Sequence, residues 1–598
     1  MNRFVAFIWD GQNLGASSAA ARLSHLLERD RSWTCEHSAG DMSVYVPTEE
    51  HRTGLAHALP DNSGVVLGTL FCKQRGNQGG IDADFVPDNA RTMGQRLIKG
   101  YWGHYIAFLR GRDRRKTIVI RDCSGAIPCY RIRTGYVEVL FSDVGDLVTL
   151  NCQRFTINWR YIAAFLQCTN LQIRECGLKE VTEVLAGEFL EIGSEGIRQG
   201  PAWDPKAVCK ADCIDDYQKA ADSMRCSAQS CIDAWAPLHS DILLMLSGGF
   251  DSAVVLGCLS MSPDSPRTTC LNLFGSQAGD DEREYARFAA NRAGCKLLER
   301  NHGLSEVTVD LEGPGLIRTA KPSSSEVFTS RDQLAAISRL AAEIGAKTIW
   351  SGQGGDHLFL KASGLPIVAD YLLRHGLRPG LSAVISDSAR LARLPYWYVV
   401  RDTLKQLQLN APLLPNAAPE RNSFSASDAY PNETPSYATH PWMFDAVDLP
   451  PGQQMQVHLL SDVLNRHRPI RGQAKIHKHY PFLCQPLIQT CLQTPTYLHL
   501  RGGRYRGLAR YAFRDRVPTE ILQRESKGNV TASIVHAIRK NRLLLRDLLL
   551  EGVLSREGII APNTLLPYLE NRALFRPKAL ESMVACISVE IWARSWNC

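Results

Sequence analysis

Ser247-Gly248-Gly249-Phe250-Asp251-Ser252 separates two apolar runs, Ile242 to Leu246 before it and Ala253-Val254-Val255-Leu256-Gly257-Cys258-Leu259 after it. The first run reads as a buried strand and the second as an apolar helix, so the hexapeptide is predicted to be a strand-to-helix turn. Small residues in such a turn let backbone N–H groups approach an anion closely, and the start of the helix adds partial positive charge. Two hydroxyls and a carboxylate in the same turn suit a phosphate chain with a divalent cation, because Mg²⁺ takes oxygen ligands and bridges to phosphates. The Gly-Lys-Ser/Thr ending of a Walker loop is missing. An ordinary glycine turn is the plain alternative, and the coincidence of glycines, hydroxyls and acid argues against it.

Outward from this turn, the chain alternates strand and helix. Ile214, Tyr217, Ala221, Met224, Ala228, Cys231 and Trp235 fall on one helical face. After the turn come a strand, Thr268 to Phe274, and a helix, Asp281 to Ala293, ended by Gly294. A further helix, Asp332 to Ile344, leads into the strand Lys347-Thr348-Ile349-Trp350. That alternation predicts a parallel sheet with ligands at the C-terminal edge of its strands. A second glycine-rich turn, Ser351-Gly352-Gln353-Gly354-Gly355-Asp356-His357, then lies on the same edge. It would set Asp356 across a common crevice from Asp251, and two carboxylates facing a triphosphate are what a pair of Mg²⁺ ions needs. Capping of the following helix is the structural alternative for each acid.

Residues 1 to about 200 look β-rich, with runs at Val65–Phe71, Tyr105–Leu109, Thr117–Arg121 and Tyr136–Phe141, and a closing hairpin from Val184 to Ile192. Gly200-Pro201-Ala202-Trp203-Asp204-Pro205 reads as a linker. Residues of about 405–445 are rich in Pro, Asn, Ser and Ala and read as a long mobile insertion; a lid, a substrate channel and an insertion without a role all fit. The tail past 446 reads as mostly helical.

The 598 residues allow two to four domains, and 44% hydrophobic with 22% charged residues is the composition of a soluble globular protein. A net charge of +7 does not predict nucleic-acid binding. The cluster Arg110-Gly111-Arg112-Asp113-Arg114-Arg115-Lys116 reads as a solvated hairpin tip, with a phosphate or partner-peptide role as the alternative. The 18 cysteines include no Cys-x-x-Cys pair and are scattered through apolar segments, as reduced cysteines used as small hydrophobes are. Phe4-Val5-Ala6-Phe7-Ile8-Trp9 is too short for a signal sequence or a membrane span, so the expectation is a cytoplasmic protein without a transmembrane segment.

The two glycine turns resemble the Ser-Gly-Gly-x-Asp-Ser and Ser-Gly-x-Gly-x-Asp motifs of the asparagine synthetase family. A third likeness is Val517-Pro518-Thr519-Glu520-Ile521-Leu522 followed by Arg524 and Lys527-Gly528. The resemblance implies an α/β pyrophosphate-loop synthetase domain with helical additions over 206–598. It implies ATP and Mg²⁺ as cofactors, Asp251 and Asp356 as metal-binding and catalytic acids, and Lys527 as the cation on the α-phosphate and leaving pyrophosphate. A desolvated lysine there stabilises charge that builds up in the transition state. The nucleotide is expected on Met245, Ser247, Gly248, Gly249, Asp251, Ser252, Leu273, Ser351 and Gly352, with Met245 and Leu273 beside the adenine.

Arg121-Asp122-Cys123-Ser124-Gly125-Ala126-Ile127-Pro128-Cys129-Tyr130 and Phe141-Ser142-Asp143-Val144 resemble the family's N-terminal glutamine amidotransferase domain. An Ntn-type β-sandwich over 1–205 is therefore expected, giving an α+β domain ahead of an α/β one. Where the family's glutaminase carries a cysteine after the initiator Met, this chain has Asn2, which has no nucleophilic atom, and the Arg-Gly-Pro-Asp segment that helps bind glutamine is missing too. The domain is thus expected to be inactive, covering the crevice or docking a partner.

With no ammonia from glutamine, the amine is expected to come with the substrate. Tyr101-Trp102-Gly103-His104-Tyr105, Arg121 to Tyr130, Pro481-Phe482-Leu483-Cys484-Gln485-Pro486-Leu487-Ile488 and Gly502-Gly503-Arg504-Tyr505-Arg506-Gly507-Leu508-Ala509-Arg510 look most like the lasso peptide cyclases of this family. Cys484 stands where asparagine synthetases usually carry Asp. The resemblance implies an AMP-forming ligase that activates an Asp or Glu side chain of a leader-trimmed precursor peptide and closes a macrolactam with its N-terminal amine. A leader peptidase and a leader-binding protein are the partners it implies. β-Lactam synthesis, ammonia-dependent asparagine synthesis and a non-catalytic scaffold are the other readings. Gln353 stands where synthetases often have Glu or Tyr and cannot act as a base; His357 is either a base or a structural histidine.

Overall fold

Alternation of inward and outward side chains with period two builds the first 200 residues into a sandwich. In the computed structural model, the described residues are all except 1–2, 30, 52–54, 74–80, 82–89, 112–115, 170, 276–280, 302, 304–317, 324–330, 363, 410–423, 427–439, 466–475, 525–527, 529–530, 571, 574–575 and 597–598. The strands of the sandwich are β1 (Val5–Trp9), β2 (Trp33–Ala39), β3 (Met42–Pro47), β4 (Ala56–Ala58), β5 (Gly64–Cys72), β6 (Tyr101–Arg110), β7 (Lys116–Arg121), β8 (Tyr130–Thr134), β9 (Val137–Phe141), β10 (Thr182–Glu183), β11 (Glu188–Gly193) and β12 (Gly196–Pro201). They form two six-stranded sheets, β10-β8-β9-β1-β3-β2 and β12-β11-β7-β6-β5-β4, with antiparallel pairing throughout. Ala6, Ile8, Val44, Leu67, Phe108, Val119 and Leu190 fill the space between them. Val5 and Phe7, pointing the other way from β1, join a second cluster with the helices Leu14–Arg29 and Pro577–Trp596. The end of the chain thus buries its apolar residues with those of the first strand.

The second unit is the expected parallel sheet, β13 (Asp241–Met245), β14 (Arg267–Phe274), β15 (Lys296–Asn301), β16 (Thr348–Ser351) and β17 (His477–His479), in the order β15-β14-β13-β16-β17. The fold is therefore α+β followed by α/β, with helical additions between β16 and β17 and after β17. β13 reads as a continuous apolar run because helices cover both of its faces. The helix Phe250–Leu259 is buried all round except at Gly257, where a Cβ would come within 2.4 Å of the Arg516 carbonyl oxygen. β15 and β17 carry little apolar signal; pairing with their neighbours decides them.

The two units share one hydrophobic core. Phe71 and Trp102 of the sandwich stack on each other, and Phe71 also meets Trp235 of the helix Tyr217–Trp235 edge-on. His104 and His479 pack against Trp235, and His479 also lies against Trp350 of β16.

Two sequence expectations need correction. Residues 200–205 are no free linker: Gly200 and Pro201 end β12, Trp203 is buried, and Asp204 caps the helix Pro205–Lys210. The basic run does join β6 to the antiparallel β7 as a hairpin, with Arg110 paired to Asp41 at 2.6 Å and Lys116 to Glu191 at 3.1 Å at its ends; residues 112–115 lie outside the described residues. The insertion at 405–445 is partly built into the fold. The helix Tyr396–Leu409 runs into it, Phe424 is buried with its carbonyl accepting from Ala561 N, and the helix Pro441–Asp445 closes it with Trp442 buried. Residues 410–423 and 427–439 lie outside the described residues.

Candidate active site

β13 is flanked by β14 on one side and β16 on the other, so the chain reverses its direction of travel across the sheet at β13. A crevice opens at the strand ends of such a switch point. Both glycine turns leave the sheet there: Met245 pairs in register with Ser351, so residues 247–252 and 351–356 emerge side by side.

The first turn depends on Gly248, whose φ of +74° is left-handed and whose Cβ would meet the Glu282 carbonyl oxygen at 2.6 Å. Ser247 Oγ and Ser252 Oγ lie 3.2 Å apart, and Ser252 Oγ donates to the Gly249 carbonyl. The helix that follows has no side-chain cap, which leaves its first N–H groups to an anion. Asn272 Nδ2 anchors the turn from beneath through the Leu246 carbonyl.

The second turn packs directly onto the first. A Cβ at Gly352 would come within 2.4 Å of Ser252 N, and one at Gly355 within 2.5 Å of Asp251 Cγ. That closeness is why the turn carries glycines, and it brings Asp251 and Asp356 together. Arg506 Nη2 donates to Asp251 Oδ2 at 2.9 Å and also pairs with Asp356 Oδ1. Lys361 Nζ stands 3.8 Å from Asp356 Oδ2. Two acids that can share one nitrogen can share one cation. With phosphate oxygens and water completing the shell, their oxygens fit a divalent ion of the Mg²⁺ type.

Lys527 lies outside the described residues, but both of its flanks bind one acid. Arg524 pairs with Glu282 at 2.7 Å, and Gly528 N donates to Glu282 Oε1 at 2.7 Å. Arg524 also donates to the Gly248 carbonyl at 3.4 Å and lies over the Tyr285 ring. Met245 and Leu273 are half-buried against the apolar cluster under the sheet edge. Gln353 is exposed. His357 Nε2 faces Asp462 at 3.4 Å, a structural partner on the helix Pro451–Asn465. Cys484 is buried among Cys231 and Trp235, and burial pushes its thiol well up, so it is neutral.

Sequence reasoning assigned no role to Arg506, Lys361 or Glu282. The spacing of Arg506 and Arg510, four apart in a glycine-flanked basic run, was the available signal for the first. The other two had none, since exposed and buried lysines and glutamates look alike in sequence.

A parallel sheet with paired acid-bearing turns at its switch point defines an ATP-using synthetase site. The chain belongs to the asparagine synthase family, whose model matches residues 239–594, from just before β13 into the last helix. It is an ATP-dependent, amide-forming ligase. No curated protein matches the chain. Among solved structures it is similar to the allosteric regulatory enzyme of purine biosynthesis, at 12% identity over 58% of this chain and 89% of that one, with a TM-score of 0.20. It is also similar to a glutamine phosphoribosylpyrophosphate amidotransferase from B. subtilis complexed with ADP and GMP, at 13% identity over 58% of this chain and 81% of that one, with a TM-score of 0.20. Overlap that loose assigns no residue a role. Among the described residues, no helix is long and apolar enough to cross a membrane.

Proposed function

We propose that this ligase is a macrolactam synthetase of the lasso peptide cyclase kind. It adenylates an Asp or Glu side chain of a leader-trimmed precursor peptide and joins that acyl group to the peptide's own N-terminal amine. The observation that carries the reading is the convergence of Asp251 and Asp356 on one cation position from turns after neighbouring parallel strands. Support for a peptide over free aspartate comes from the cyclase-like segments and from Cys484, a neutral thiol where asparagine synthetases have a carboxylate. Leader removal and leader delivery fall to a separate peptidase and binding protein.

In the first step a substrate carboxylate oxygen attacks the α-phosphorus, the bond to the β-phosphate oxygen breaks, and pyrophosphate leaves with that electron pair. The first turn holds the phosphates through backbone N–H groups and the hydroxyls of Ser247 and Ser252, and Lys527 meets the charge on pyrophosphate. Divalent ions on Asp251 and Asp356 would neutralise the phosphate oxygens. In the second step the amine nitrogen attacks the acyl carbon and the bond to the AMP oxygen breaks. Gln353 is no base, and the amine proton is given to the departing phosphate. Holding amine and acyl group together can contribute about 7–11 kcal/mol in favourable cases.

Mass spectrometry of a leader-trimmed candidate peptide with enzyme and ATP tests the reading. The expected product has lost one water, with release of AMP and pyrophosphate, and Asp251→Ala abolishes it. Asparagine formed from free aspartate and ammonia without any peptide would replace this reading by asparagine synthesis. An unchanged cognate peptide would reject cyclisation.

A further inference from the structure

We propose that Arg506 is a built-in counter-cation of the metal site: it neutralises Asp251 and Asp356 while no nucleotide is bound, and the divalent ions that arrive with ATP must displace it. The inference deepens the reading above and rests on Asp251 and Asp356 being the metal acids.

The geometry is specific. Nη2 donates to Asp251 Oδ2 at 2.9 Å and forms an ion pair with Asp356 Oδ1, so the guanidinium lies between the two acids. The Arg506 side chain is 7% exposed, that of Asp251 11% and that of Asp356 31%, so the interaction is poorly screened by water. Two nearby carboxylates without a cation would repel each other, and the arginine removes that cost. A divalent ion can take this place only if the guanidinium moves aside.

Arg506 has a left-handed conformation, φ 59° and ψ 31°, and its N–H donates to the carbonyl of Leu360, itself at φ 63°. Two left-handed non-glycine residues bonded to each other beside a site mark stored strain. Arg506 also starts the helix Gly507–Ala512, in which Arg510 donates to the carbonyls of Ile521, Leu522 and Arg524.

The test is Mn²⁺ binding to the full-length protein without nucleotide, read from the free-ion signal in electron paramagnetic resonance. Arg506→Gln is expected to bind Mn²⁺ at least about ten-fold more tightly than wild type, or about 1.4 kcal/mol. The double variant Arg506→Gln with Asp251→Asn is expected to lose that gain. Equal affinity of Arg506→Gln and wild type overturns the proposal, and so does a gain that survives Asp251→Asn. Near-UV circular dichroism checks the fold of each variant. Should Arg506→Gln fail to fold, Arg506→Met carries the test: it keeps much of the side chain's length without the charge, so Mn²⁺ binding is expected to tighten at least three-fold, and no change overturns the proposal. Pyrophosphate release with peptide is read separately, so failure of the cyclase reading leaves the ion-binding result standing on its own.

Discussion

Gly355 lies against the carboxylate of Asp251, so closely that a Cβ on residue 355 would stand 2.5 Å from Asp251 Cγ and 2.6 Å from Oδ1. One methyl group at this point must push either the acid or the second turn away. Gly355→Ala is expected to lower pyrophosphate release by about 100-fold, the effect of misplacing a reacting group by about 1 Å. Gly40→Ala, where a Cβ meets nothing within 4 Å, is the control and leaves activity unchanged.

Glu282 gathers the two flanks of Lys527, Arg524 through its side chain and Gly528 through its backbone. Its side chain and that of Arg524 are 12% and 10% exposed. Glu282→Ala leaves Arg524 buried beside Gly248 without its acid, and breaking a buried pair in this way costs about 3–5 kcal/mol. Urea unfolding measures that loss. If the residue positions the lysine segment, Glu282→Gln, which keeps an acceptor for Gly528 N, retains more activity than Glu282→Ala at equal folded fraction.

Asp370 is fully buried, and burial raises its carboxyl to about 7, against hydrogen bonds from Thr496 Oγ1 and Gly452 N that pull the other way. The folded state therefore holds a proton that the unfolded chain releases near 3.8. Its contribution is full below that value and is lost as pH rises through the folded pKa. Stability is expected to fall by up to about 1.4 kcal/mol per pH unit between roughly pH 4 and 7 from this group. Asp370→Asn keeps an acceptor and the shape without the titration, and the slope over that window should flatten in urea titrations at several pH values.

The histidines between the two units act in the opposite sense. Burial lowers His104 to about 4 and His479 well below its ordinary 6.5, with His104 and His239 adding repulsion at His479. The unfolded chain takes up protons near 6.5 that the folded core refuses. The stability these groups contribute is present above pH 6.5 and is lost as pH falls toward 4. His479→Gln, which cannot charge among Trp235, Trp350 and His104, should show a shallower acid slope by up to about 1.4 kcal/mol per pH unit. An unchanged slope would mean that His479 takes up its proton as readily in the folded state as in the unfolded chain.

The sequence by itself determined three strands of the parallel sheet, β13, β14 and β16, the two turns, and the first strand of the sandwich's closing hairpin. Each is written in contiguous residues: Ile242–Leu246 has strand composition, Gly248 supplies the left-handed turn, and Ser247, Asp251 and Ser252 lie within four residues of it. Local pattern carries such features because the backbone needs them whatever packs nearby. Tertiary structure alone decided that residues 255 positions apart, Asp251 and Arg506, share a hydrogen bond, and that Glu282 and Gly528, 246 apart, do too. It also decided β17, whose His-Lys-His has no strand signal of its own and forms because β16 offers an open edge, and it tied Phe424 into the core from a stretch that reads as loop. Those outcomes depend on which charges and apolar surfaces meet once the chain closes, and spacing along a sequence does not encode that.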